Sequence, residues 1–466
     1  MTHSIRKAFT IVLAFILSFI LFIRIPPSSV LAASFNVSRF DDPVPGSCSP
    51  GDCSLREAIL AANASLGADT IDLPAGTYTL SISGKNEDSN LTGDLDILDA
   101  LTINGLSTGA TITAAGGWDD RIIDSPIAGF TISLTGLTIA GGNLSSGGGG
   151  GIRSVAALTM INCFIQDNQA FEAAGMETSD SLFMVSTIVR RNASGSTGGG
   201  LTMFGPSIIE LSTITGNSAS TSGGGIYYGG SLLQLIGSTI SGNSAAWYGG
   251  GIEMLGTTIS INGSTISDNT SFGTGGIDSY GTLDINNSTI SGNKSTMGLA
   301  GGILEANGFT GNMNNSTVAF NETSYFGGTG GIYVDPGATF TILNSIIAKN
   351  HNLATYSQDC KGTLVANDYN LVQDVTACNL TTGTHNLTGL DPRLSILGSH
   401  GGATFTHALM VGSPALDTAN PLPPGSGGLA CLVNDQASQI RPIGGACDMG
   451  AFEGIRYLVF GPLVIK

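Results

Sequence analysis

Charge is scarce in this chain. Lys, Arg, Asp and Glu make up 11% of its 466 residues, against roughly 25% in an average globular protein, so its surface cannot rest on ion pairs. Basic side chains are scarcer still, with 17 Lys and Arg against 34 Asp and Glu and a net charge of −17. Phosphate binding needs a clustered basic face, so nucleic acid and anionic membranes are excluded as partners. There are five histidines and no Cys-x-x-Cys, so neither a zinc site nor a Ser-His-Asp set has informative spacing. Beyond the first two dozen residues no stretch is apolar enough to span a bilayer. No helical period runs between residues 143 and 350 either, which excludes leucine-rich and helix-pair repeats.

Glycine is abundant, at 68 residues, and it keeps time. A Ser-Thr-Ile phrase, an Asn three residues on and a Gly cluster recur at Asn143, Asn168, Asn192, Asn217, Asn243, Asn269, Asn293, Asn321 and Asn350, in steps of 24 to 29 residues. A fixed step of roughly 20–50 residues marks a solenoid or propeller, and a four-stranded propeller blade needs about 40. Each period reads as three short strands, such as Ile226-Tyr227-Tyr228, Leu233-Gln234-Leu235 and Ser238-Thr239-Ile240. Alternation within the strands turns one side inward. The expected fold is therefore all-β: a right-handed, single-stranded parallel β-helix. Like residues should stack about 4.8 Å apart, with the nine asparagines as a side-chain ladder in the left-handed backbone of a turn. Ser212, Ser238, Ser264, Ser288, Ser316 and Ser345 should form an inner column, with Thr213, Thr239, Thr265, Thr289 and Thr317 outside.

The ends read differently from the array. Residues 1–33 pair Arg6 and Lys7 with an uncharged run from Ala8 to Ile23, then Pro26-Pro27 and Val30-Leu31-Ala32-Ala33. This is a secretory signal pattern, with cleavage favoured over an uncleaved anchor. The expected location is extracellular or at the cell surface, as a monomer. Seven cysteines fit an oxidising compartment. Six fall in close pairs, Cys48 with Cys53, Cys360 with Cys378 and Cys431 with Cys447, read as disulfides outside the array. Cys163 is left over, in an inner small-residue slot. Ser54 and Glu57 have capping-box spacing, and Leu55, Ala58, Ile59 and Ala62 make an apolar stripe. A short helix over 54–64 should therefore plug the open end of the stack.

Cys53-Ser54-Leu55-Arg56-Glu57-Ala58, followed by Leu73-Pro74-Ala75-Gly76-Thr77-Tyr78 and Gly93-Asp94-Leu95-Asp96-Ile97, resembles the N-terminal CSLREA domain of secreted bacterial β-helix proteins. The series Leu390-Asp391-Pro392, Gly412-Ser413-Pro414-Ala415-Leu416-Asp417 and Cys447-Asp448-Met449-Gly450-Ala451-Phe452-Glu453 resembles the choice-of-anchor Q domain. The Gly-Gly-Ile…Asn repeats are similar to those of polymorphic outer-membrane proteins. These resemblances imply a pectate-lyase-like solenoid with residues 34–100 as N-terminal cap and first coils and 101–350 as β-helix repeats. Residues 351–454 then hold irregular last coils and the closing domain. The tail, 455–466, reads as a final strand or a sorting tail.

Chemistry has one candidate place. Just past the glycines, the outward column reads Arg153, Glu177, Thr202, Tyr227, Glu253, Asp278, Leu304 and Tyr333. Glu253 and Asp278 should be stacked neighbours, and two carboxylates that close bind a cation, share a proton or divide acid and base roles. Tyr227, Trp247, Tyr248 and Tyr280 would supply a sugar-stacking platform beside them. The column lacks the basic run that uronate carboxylates would want. The function expected is adhesion or glycan binding without catalysis, on a polysaccharide or cell-surface glycan, with a purely structural envelope role as a milder possibility. The alternative is a polysaccharide lyase or glycoside hydrolase using Glu253 and Asp278. No cofactor is required, although the acidic surface is compatible with Ca²⁺.

Overall fold

A computed structural model describes residues 32–85, 87–106, 109–355 and 358–454. The expected signal peptide, apart from its last two residues, and the C-terminal tail lie outside the described residues. Within them the chain is a parallel β-helix. One coil runs Ile226–Tyr228, Leu232–Ile236, Thr239–Ser241 and Ser244–Ala245. The first two strands join a 22-stranded sheet, the third a 13-stranded sheet and the fourth a 9-stranded sheet. Registers are residue for residue: Ile226 lies on Ile252, Leu233 on Ile259, Ile240 on Ile266 and Ala245 on Ser271. Ile226, Tyr228, Leu233, Leu235 and Ile240 are all fully buried. Each such side chain taken from water contributes roughly 1.5–3 kcal/mol, and the stacked coils share one continuous core. The fourth strand, two polar or small residues after each Asn, has no period of its own and was not foreseen.

The asparagine ladder is real, with one correction. From Asn168 to Asn350 each Nδ2 donates to the next Oδ1 at 2.9–3.0 Å. The same Oδ1 also accepts the backbone N–H of the preceding Asn, as Asn243 does from Asn217 at 3.0 Å. The ladder ends on Asp359, whose Oδ1 accepts from Asn350 at 2.9 Å. Asn143 stands outside it. Its register partner is Gln169, so it lies one residue past the slot, and Gly142 donates to Asn168 in its place. The left-handed backbone also belongs to a different residue. The position before each ladder Asn takes positive φ: Asp167, Arg191, Gly216, Gly242, Asp268, Gly292, Phe320 and Lys349. Glycine is needed elsewhere, at Gly225, where a Cβ would meet the Gly251 carbonyl at 2.7 Å.

The serine column forms a second ladder, each backbone N–H donating to the next hydroxyl at 3.1 Å. Cys163 occupies this column, its N–H donating to Thr187 Oγ1, and is a buried free thiol. The outer threonines are a partial correction. Thr265, Thr289 and Thr317 are buried, because the closing segment folds back along this flank. Thr265 donates to Phe405 O, Thr289 to Gln436 Oε1, and Ala451 N to Thr317 Oγ1. His407, buried and held neutral by that burial at a pKa of about 4, bonds Ser291 Oγ at 2.8 Å. Arg441 and Glu453, both from the closing segment, form a buried pair at 2.8 Å.

The other end is plugged as expected by the helix Leu55–Ala64, with both halves of the capping box made by Ser54 and Glu57. Arg56 is buried and bidentate on Asp42, at 2.7 and 3.1 Å, and also donates to the carbonyls of Asp94 and Gly93. Cys48–Cys53 and Cys360–Cys378 are disulfides. Cys431 and Cys447 are not, against expectation. They are buried free thiols in the small core of the closing segment with Ala415, Ala419 and Met449, and Cys431 Sγ–H donates to the Asn420 carbonyl.

If the ladder fixes the coil register, Asn243→Ala strands the buried N–H and amide of Asn217. A loss of roughly 2–3 kcal/mol is expected in urea unfolding, with faster hydrogen exchange in the flanking coils. A loss under about 0.5 kcal/mol would show the ladder to be ornamental.

Candidate functional site

The outward column is in register throughout: Arg153, Glu177, Thr202, Tyr227, Glu253, Asp278, Leu304 and Tyr333 lie on successive coils. Beside it the loops between each ladder Asn and the next glycines also stack, since Trp247 N–H donates to Thr221 O, Gly273 N–H to Trp247 O and Met297 N–H to Phe272 O. Column and loops enclose a cleft of about 440 Å³ lined by Trp247, Tyr248, Phe272, Thr274, Asp278, Tyr280, Met297, Leu304, Tyr325 and Asp335, among others. That volume falls within the roughly 300–1,000 Å³ of small-ligand sites. Trp247, Tyr248, Phe272, Tyr280 and Tyr325 are all between 37% and 51% exposed. The Trp247 and Phe272 rings meet at 5.4 Å between centroids, tilted by 59°.

Of the residues singled out in the sequence, Asp278, Trp247, Tyr248 and Tyr280 are thus brought together. Glu253 lies one strand behind Asp278, and Tyr227 one further, in register with Glu253. Sequence reasoning missed Phe272, Met297, Tyr325 and Asp335. The first three share the loop position of Trp247 in neighbouring coils, a few residues past the ladder Asn, so the period itself carried the signal.

The electrostatics follow from burial. Glu253 and Asp278 are nearly inaccessible, and Glu253 Oε2 and Asp278 Oδ1 have no hydrogen-bond partner. Burial first, then the Asp278 charge, hold Glu253 well above the usual carboxylate range. Asp278 is raised by burial and by Asp335, against the Thr274 hydroxyl that lowers it. Both groups are thus held toward their protonated forms. Behind the cleft, Glu305 points into the core, where burial pushes it to about 8 against the Ser279 hydroxyl that lowers it. A second acidic group lies in the first coils, where Asp88, Asp96 and Asp124 bring oxygens within 4.8 Å of one another. There Asp124 already accepts from Arg153 and Arg121 at 2.9 Å. Among the described residues no helix is long and apolar enough to cross a membrane.

No protein-family model matches the chain, and no curated protein does; the resemblances at its two ends and in its repeats rest on their motifs. Two solved structures align with it. One is the A-module of the mannuronan C-5 epimerase AlgE6 of Azotobacter vinelandii, at 16% identity and a TM-score of 0.42, over 76% of this chain and 97% of that one. The other is the pectate lyase Pel9A, at 13% identity and a TM-score of 0.42, over 92% and 98%. Neither likeness transfers a residue or a reaction to this cleft.

The buried carboxyls set a pH dependence. In the unfolded chain Glu305 ionises near its ordinary 4.5, whereas the folded core keeps it protonated to about 8. The folded state therefore binds more protons, and stability falls as pH rises through that window. Thermal unfolding should show Glu305→Gln unchanged at pH 4 and more stable than the parent at pH 8, by at least about 1 kcal/mol. Equal effects at both pH values would place the Glu305 carboxyl in water.

Proposed function

We propose that this chain is a secreted or cell-surface β-helix protein that binds glycans, as an adhesion or recognition module, through the aromatic cleft and without catalysis. The carrying observation is the set of half-exposed rings converging on one cleft. A contiguous exposed apolar patch on a soluble protein marks a binding surface. Tyr and Trp present a flat apolar face with a polar edge, which suits the mixed faces of a sugar ring. The cleft is lined by two neighbouring loop and strand columns, so it runs along the coil axis and fits an extended chain. This reading calls for no cofactor. A Ca²⁺ ion, if one joins the fold, would find its donors at Asp88, Asp96 and Asp124.

The buried pair favours one second reading, a glycoside hydrolase or lyase working through Glu253 and Asp278. Acid and base must flank the scissile bond, whereas these two project from adjacent strands to the same side. That arrangement is why binding is preferred. A panel of neutral, amino and uronate oligosaccharides incubated with the purified protein separates the two. Binding without new reducing ends or unsaturated products is expected, with Trp247→Ala weakening it at least about tenfold, since an aromatic contact of this kind is worth roughly 0.5–1.5 kcal/mol beyond its buried area. Turnover that disappears in Glu253→Gln would replace binding by catalysis.

A further inference from the structure

The charge around the cleft narrows the ligand further, an inference that rests on the glycan reading. Asp278 and Asp335 line the cleft, and Glu253 lies directly behind Asp278. No Lys or Arg lines it. The nearby cations are engaged elsewhere: Lys294 with Glu322 at 2.8 Å, and Lys361 over the Tyr333 ring and on the Gly327 carbonyl. Asp278 is 1% exposed, and its Oδ1 has no partner. An oxygen buried in this way beside an open cleft lacks a donor that a ligand can bring.

An anionic sugar fails here on two counts. A uronate carboxylate would meet three carboxyl groups and no cation, and it has no proton to give to Asp278 at neutral pH. A neutral sugar offers hydroxyl donors but leaves the field of the acidic groups unanswered. An ammonium group supplies the donor and the charge together, in a hydrogen bond of the stronger, charge-assisted kind. It also meets the rings of Trp247, Tyr248 and Tyr280, and an aromatic ring attracts a cation over its face. The aromatic and the acidic residues, explained separately by stacking and by chance, are explained together by one ligand group.

We propose that the cleft selects glycans carrying free amino groups, of the class of glucosamine polymers without N-acetylation, over neutral and uronate chains, with Asp278 giving up its proton to solvent and accepting from the sugar ammonium and Asp335 adding charge at the rim. The amino sugar is preferred to a methylated lysine peptide because the rings line an elongated cleft along the coil axis rather than closing a cage around one point.

Calorimetric titration with matched oligomers of glucosamine, N-acetylglucosamine and galacturonic acid tests this at pH 6.5, where the free amine is charged. The glucosamine oligomer is expected to bind at least tenfold tighter than the acetylated one, with galacturonate weakest. Asp335→Asn, at the rim, and Asp278→Asn should each erase most of that preference, with far-UV circular dichroism like the parent's certifying the fold. Equal binding of the three oligomers overturns the amine selectivity and leaves the glycan reading standing. Tighter galacturonate binding overturns it as well, and so do variants that keep the full preference. Binding of none of the three, with a trimethyl-lysine peptide bound instead, overturns both.

Discussion

The hydrogen bond from one asparagine amide to the next sets where each coil from Asn168 to Asn350 begins. Seven such bonds run from Asn168 to Asn350, all buried. A parallel stack needs this kind of mark, because backbone pairing alone is indifferent to register and a slip by one residue would turn every inward side chain outward. The amide is suited to the task, since its two ends carry different groups and each Asn can give to one neighbour and receive from the other. The turn is completed by the residue before it, in the left-handed region, which is glycine at only some positions. That strain is tolerated because the ladder on one side and the strand on the other over-determine the backbone.

Function is a consequence of the same repetition. Once coils are in register, anything the sequence places at one phase of the repeat becomes a line in space. At the phase after the glycines that line is mostly polar and, at Glu177, Glu253 and Asp278, acidic; at the loop phase it is aromatic. The cleft exists where the two lines run side by side between residues 247 and 335. The cost falls on the buried acids. Glu253, Asp278 and Glu305 hold protons that water would take from them, and such groups are more expected at a binding site than in a core chosen only for stability. The closing segment adds a second constraint by covering Thr265, Thr289 and Thr317 along the neighbouring flank, so the face carrying the cleft is left open while the adjacent one is sealed.

The period, the inward alternation, the capping helix and the stacking of Glu253 on Asp278 were legible because each is local or repeats. Three kinds of feature were not. Asn143 matched the spacing but lies one residue out of phase, since a single-residue shift in an irregular early coil changes no composition. The fold-back of the closing segment depends on contacts between residues far apart in the chain, such as Thr265 with Phe405 and Thr289 with Gln436, 140 and 147 residues apart, which no period reports. Cys431 and Cys447 have the spacing of a bridge, yet they pack as small apolar side chains in contact. Phe272, Met297 and Tyr325 were readable in principle, and were overlooked because attention stayed on the strands rather than on the loops that keep the same beat.

The central claim is that coils are interchangeable units held in phase by the ladder, and removing one whole unit tests it most directly. Deleting residues 192–216, one ladder step of 25 residues, joins Arg191 to Asn217 and lets Asn168 bond Asn217 as it now bonds Asn192. Hydrogen exchange and circular dichroism should then report a folded, shorter stack with protection in the remaining coils close to that of the parent. Deleting about half as many residues from the same place should unfold the flanking coils. If the two deletions are equally disruptive, or equally harmless, the coils are not in-phase units and the account of the cleft built upon them is wrong.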